Sequence, residues 1–194
     1  MKEVLLGSVL ALGSLGLISP VQAEQYQFDC FTEVQVTEKN PYYKDAVILC
    51  SNPFSIADPV NCYKEALKVV TGLDKKHAAV LLCTGASSTA PVECYKAAMA
   101  YKSSLFSVEA AVLCSGSNTT MPVDCLKEAQ NSDSYLFRRE GVHLCSGATS
   151  MEPVRCYKMA RKNDSSIFPD EAAVLCSSRG GLAGFGILQH GFRY

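Results

Sequence analysis

The chain has 194 residues, 48% of them hydrophobic and 19% charged, with a formal net charge of −1. That supply of apolar residues suffices for a folded core and places the sequence outside the disordered class. A near-neutral balance with no basic cluster excludes nucleic acid as the expected partner, which leaves the ten cysteines as the number to explain.

Residues 1–23 read as a secretory signal peptide. Lys2 gives a weakly positive start, Val4 to Ile18 is uncharged and apolar, and Val21-Gln22-Ala23 places small or modest residues at a cleavage point. The apolar run is shorter than the roughly 20 residues a helix needs to cross a bilayer. Cleavage near Ala23 would release a secreted or periplasmic chain into an oxidising compartment, where thiols pair.

All ten cysteines follow that point, at two alternating gaps. Cys30 and Cys50 lie 20 apart, Cys62 and Cys83 lie 21 apart, and Cys94–Cys114, Cys125–Cys145 and Cys156–Cys176 lie 20 apart. The text between the cysteines of a pair recurs: CYKEALKVVTGLDKKHAAVLLC, CYKAAMAYKSSLFSVEAAVLC, CLKEAQNSDSYLFRREGVHLC and CYKMARKNDSSIFPDEAAVLC. A self-similar period of this length is the mark of a repeat architecture. The units run over about 24–50, 56–83, 88–114, 119–145 and 150–176, within one domain spanning 24–176.

Each unit reads as helix, turn, helix. Pro59, Pro91, Pro122 and Pro153 stand just ahead of a first cysteine, in a first helical turn where a missing N–H costs nothing. Val92, Tyr95 and Met99 then recur at helical spacing. A second helix, exemplified by Val108 to Cys114 with Ser107 as its expected N-cap, stops at Gly116. Gly85 and Gly147 end the equivalent copies, as left-handed caps require. In an antiparallel pair the start of the first helix lies beside the end of the second, so pairing across the long gap clamps the open end of each unit. Pairing across the short gaps would tie the joining loops instead, but would strand Cys30 and Cys176 at opposite ends of the array. The expected fold is all-α, a short solenoid of five disulfide-clamped helical hairpins.

Two stretches depart from the pattern. In the first unit, Phe31 to Thr37 alternates apolar and polar residues and is rich in β-branched ones, so it is expected to be irregular and extended. After Cys176, residues 177–194 read SSRGGLAGFGILQHGFRY, a flexible tail of glycines and aromatics with no helical period. Contact with a membrane, if any, is expected only through this tail.

Catalytic and metal signatures are missing from the text. No two cysteines are nearer than 11 residues, which suits neither a C-x₂₋₄-C zinc site nor a C-x-x-C redox motif. His77, His143 and His190 read as structural or surface residues, and no nucleophile elbow, P-loop or dinucleotide fingerprint occurs. No catalytic residue, metal or cofactor is therefore assigned. Two repeated features are candidate binding elements. One is the pair after each first cysteine: Tyr63-Lys64, Tyr95-Lys96 and Tyr157-Lys158, with Lys127 following Leu126 in the fourth unit. The other is the polar joining loop, Ser87-Ser88-Thr89 or Ser117-Asn118-Thr119-Thr120. Asn118-Thr119-Thr120 and Asn163-Asp164-Ser165 also fit the glycosylation acceptor pattern.

The bridged-hairpin architecture is similar to that of secreted bacterial helical-repeat proteins of the cysteine-rich-repeat type. The glycine and tyrosine signature of those repeats is absent here and the period is shorter, so no residue role carries over. The expected function is an exported, non-enzymatic binding or scaffold module for protein, peptide or glycan. The alternatives are a secreted hydrolase or hydrolase inhibitor, and a cell-surface structural protein that assembles through the tail.

Overall fold

The computed structural model describes residues 20–37, 43–51, 57–72, 74–101 and 105–177. Most of the expected leader, residues 1–19, lies outside the described residues, and so does the tail from 178 onward. Among the described residues the protein is all helical, with ten helices and no strand. They are α1 (Pro20–Thr37), α2 (Tyr43–Cys50), α3 (Ala57–Val69), α4 (Lys75–Cys83), α5 (Ala90–Tyr101), α6 (Ser107–Cys114), α7 (Met121–Ser132), α8 (Arg138–Cys145), α9 (Glu152–Asn163) and α10 (Pro169–Cys176).

Five disulfides join successive helices across the long gaps: Cys30–Cys50, Cys62–Cys83, Cys94–Cys114, Cys125–Cys145 and Cys156–Cys176. Each ties the first part of one helix, or in α1 its second half, to the last residue of the next. Their Cα atoms are 5.5 to 5.7 Å apart, within the range an unforced bridge spans. The long-gap pairing is thus the one adopted, and the short-gap alternative is not. Helices of eight or nine residues, such as α2, α4, α6, α8 and α10, are marginal alone in water. The bridges and the packing of each pair on its neighbours hold them.

That packing is read from equivalent positions. The residue just before each second cysteine is a leucine, and Leu49, Leu82, Leu113 and Leu144 are all fully buried. Val60, Val92, Val123 and Val154, two residues before the first cysteines of the last four units, are buried too, as are Tyr63, Tyr95, Leu126 and Tyr157 just after them. Ala78, Ala79, Ala110 and Ala111 let α4 and α6 approach closely. The first helix of each later pair touches both helices of the pair before it: α5 meets α3 and α4, α7 meets α5 and α6, and α9 meets α7 and α8. Second helices likewise follow one another, α2 to α4 to α6 to α8 to α10.

Consecutive pairs are also joined through backbone. The N–H of Gly116 donates to the carbonyl of Leu82, and that of Gly147 to the carbonyl of Leu113, both at 3.2 Å. Gly116 has φ +62°, and a Cβ there would lie 3.3 Å from the Thr84 carbonyl oxygen. Glycine is needed at this point both for the left-handed turn and for the close approach. Ser146 Oγ adds a hydrogen bond to the Val112 carbonyl at 2.7 Å.

Two expectations are corrected. The Phe31–Thr37 run is helical, not extended, and forms the end of α1. Cys30 and Val34, four residues apart, are buried on one face while Val36 is exposed, and Thr32 Oγ1 donates to the Phe28 carbonyl one turn back. Packing against α2 and α3 and the Cys30–Cys50 bridge override the β-preference of the side chains. Nor is Ser107 the N-cap of α6. Phe106 takes that place with extended backbone angles, and Ser107 Oγ instead pairs with the Tyr95 hydroxyl at 2.8 Å. Glu109 does the capping, its carboxylate accepting the Phe106 N–H at 3.0 Å.

Candidate functional site

The candidate site is a row of phenylalanines built by one local motif. Leu105-Phe106-Ser107-Val108-Glu109, Leu136-Phe137-Arg138-Arg139-Glu140 and Ile167-Phe168-Pro169-Asp170-Glu171 recur one period apart. Leu105 and Leu136 are buried and anchor the turn, and the next residue becomes the N-cap of α6, α8 or α10. The Phe106 and Phe168 N–H groups donate to the glutamate three residues on, at 3.0 and 2.9 Å. Extended backbone at the cap throws each ring outward, so that Phe106, Phe137 and Phe168 are 62%, 71% and 66% exposed. Tyr135, also exposed, stands two residues before Phe137.

One exposed ring thus stands at the same position in three consecutive units. The backbone is fixed by the buried leucine and the carboxylate cap, so the rings are presented without being spent on the core. The Arg138 guanidinium lies 4.5 Å from the Phe106 ring centroid, and its Nε is 2.8 Å from Glu109 Oε2. Glu109 is itself buried, which fixes the arginine over the ring. Such an edge can hold extended apolar or aromatic ligands by ring contact and a carboxylate or hydroxyl by the arginine.

No protein-family model matches the chain, and neither a curated protein nor a solved structure matches it. What the site does must be read from its own geometry.

The pairs singled out by sequence fall elsewhere. Tyr63, Tyr95 and Tyr157 are buried, with the Tyr157 hydroxyl donating to Asp133 Oδ2 at 2.7 Å. The lysines line the outer side of the first helices, each beside a carboxylate. Lys64 Nζ reaches Glu33 at 2.7 Å and Lys158 reaches Glu128 at 2.5 Å, both on the preceding pair. Lys96 pairs with Glu93 at 2.7 Å and Lys127 with Asp124 at 3.3 Å, each within its own helix. Half-exposed pairs of this kind contribute about 0–1 kcal/mol each. In the joining loops Ser87 Oγ donates to Asn118 Oδ1 at 3.0 Å, linking one loop to the next. His77 faces Asp45 at 3.4 Å, His143 is buried in α8, and His190 lies outside the described residues. Among the described residues no group of three or more His, Cys, Asp or Glu is arranged to hold a metal ion, and no helix is long and apolar enough to cross a membrane.

One polar cluster ties the last two pairs together. Asp133 accepts from the Tyr157 hydroxyl, from the Tyr135 N–H at 2.9 Å and from Arg161 Nε at 3.3 Å. Burial alone would raise its carboxyl, but these donors outweigh it and hold the group below the usual carboxylate range. Burial and the same carboxylate push the Tyr157 phenol above its ordinary value. A depressed carboxyl stabilises the fold fully above about pH 4 and loses that contribution as pH falls through the folded-state value. The Asp133→Asn variant is therefore expected to be about 2 kcal/mol less stable than the parent at pH 7. Its denaturant midpoint should fall less steeply below pH 4. Equal acid slopes in the two proteins would remove Asp133 from the account.

Proposed function

We propose that the ten helices form a short solenoid of five antiparallel hairpins, exported after cleavage near Ala23, which acts as a non-enzymatic binding or scaffold module. Its partner is an extended protein, peptide or glycan chain held along the edge that carries Phe106, Phe137 and Phe168. The single observation behind this reading is the exposure of one aromatic residue at the same structural position in three consecutive units. Buried anchors at an interface are enriched in aromatics and arginine, and both occur here. Stacked units place equivalent side chains in a line about 8–10 Å apart, the usual spacing of packed helices. Five disulfides suit an oxidising, extracellular environment.

The test is a triple variant, Phe106→Ala, Phe137→Ala and Phe168→Ala. Because the rings are exposed, the changes at Phe137 and Phe168 should each alter stability by no more than about 0.5 kcal/mol, and that at Phe106, which carries Arg138, by about 0.5–1 kcal/mol. Binding to peptide and glycan arrays, and capture of partners from the native secreted fraction, should drop at least about tenfold, as loss of one anchor residue implies. Full retention of binding by a folded triple variant would refute the assignment of this edge. N-terminal sequencing of the exported chain checks cleavage near Ala23 independently.

A further inference from the structure

The last described pair leaves in water a leucine that is core elsewhere. The leucine before the second cysteine is fully buried in the four preceding units, yet Leu175 is 67% exposed. Met159 stands where Glu33, Glu65 and Glu128 stand in other units, three residues after the first cysteine, and it is 59% exposed. Beside them a shallow hollow of about 350 Å³ is lined by Pro153, Cys156, Leu175 and Cys176, among others. Pro153 and Cys176 are buried as Pro122 and Cys145 are, but Cys156 is half-buried where Cys125, in the unit that α9 and α10 pack against, is fully buried. Terminal repeats of a stacked array need a polar outer face or a cover. Here the outer face keeps Leu175, whose equivalents are core in the four preceding units.

The chain that follows carries the matching half of a sixth unit. Counted one period of 31 on from the fifth, Met151 becomes Leu182, Val154 becomes Phe185, Cys156 becomes Ile187, Tyr157 becomes Leu188 and Arg161 becomes Phe192. The fourth unit already has leucine at the tyrosine position, Leu126, and the third has Met99 at the Phe192 position. Against the expectation of a tail without helical period, Phe185, Leu188 and Phe192 repeat the spacing of Val92, Tyr95 and Met99, residues by which α5 packs. The cysteine gives way to Ile187, an apolar residue of similar use in a core, and the proline of the first turn to Gly184. Gly184, Gly186 and Gly191 weaken the helical preference of the stretch, so its order would depend on docking.

We propose that Leu182 to Phe192 is a disulfide-free half-repeat that docks on the outer face of α9 and α10, seating its apolar side chains over Leu175 and beside Met159, much as α9 and α10 pack against α8. The face is then closed by the chain itself and is not offered to a partner. The experiment compares three proteins by hydrogen exchange and by binding of an apolar dye: the full chain, a chain ending at Ser177, and the full chain carrying Phe185→Asp and Leu188→Asp. The α10 amides are expected to exchange at least tenfold faster in the shortened and charged chains than in the parent. Dye fluorescence should rise in both, and a synthetic 178–194 peptide should reverse both changes in the shortened chain. The charged variant leaves residues 20–177 untouched, and non-reducing peptide mapping verifies its five bridges. Equal α10 exchange in all three proteins overturns the proposal. So does a full-length dimer whose α10 stays protected in the charged variant, since that assigns the face to a second copy.

Discussion

Full reduction of the protein in native buffer is expected to abolish most of its helical far-ultraviolet signal. Each bridge closes a loop of 20 or 21 residues. In the chain-entropy account one such loop stabilises the folded state by about 3 kcal/mol. Five of them match the whole net stability of an ordinary domain, about 5–15 kcal/mol. The second helices have only eight or nine residues and cannot hold themselves. Removing one internal bridge by Cys125→Ala with Cys145→Ala should lower the unfolding free energy by about 3 kcal/mol, read from the urea midpoint. Both cysteines are fully buried, so alanine leaves no polar orphan. A reduced chain that kept its helicity and melted cooperatively would show that packing alone suffices.

The second large effect is expected at the leucine row. Leu113 is fully buried between the pairs that flank it, and its carbonyl accepts the Gly147 N–H of the next joining loop. Leu113→Ala should cost about 2–5 kcal/mol, the transfer loss plus a cavity that neighbouring helices cannot close. Phe137→Ala, at a larger but exposed side chain, should cost no more than about 0.5 kcal/mol. Thermal melts of the two variants under identical oxidising conditions distinguish them. Similar losses at both positions would contradict the division into core and edge drawn here.

Much of the local architecture was legible because it depends on spacing. Cysteines 20 apart around a turn can meet only if the chain folds back, and proline before the first cysteine and glycine after the second mark where helices start and stop. Gly85, Gly116 and Gly147 do take positive φ. Phe31 to Thr37 was misleading because alternation and β-branching are weak local preferences, and neighbouring helices outweigh them. At the start of α6 the sequence points to Ser107 because serine is the commoner cap, while the carboxylate of Glu109 reaches back and serves Phe106. The phenylalanine row had a signal, [Leu/Ile]-Phe-x-x-Glu at the repeat period. An aromatic in a repeat reads as core until its exposure is known, whereas the Tyr-Lys pairs read as binding elements because a lysine recurs beside them.

Cysteine periodicity and the helix start and stop residues determine that this chain is a succession of bridged helical pairs, since loop closure and backbone preference act over short stretches. Which aromatic of each unit is buried, Tyr95 and Tyr157, and which is left in water, Phe106 and Phe168, was decided only by the tertiary structure. All four rings sit in helical or capping text, and burial depends on which face of a helix its neighbour covers, a contact between residues about one period apart that no local pattern records.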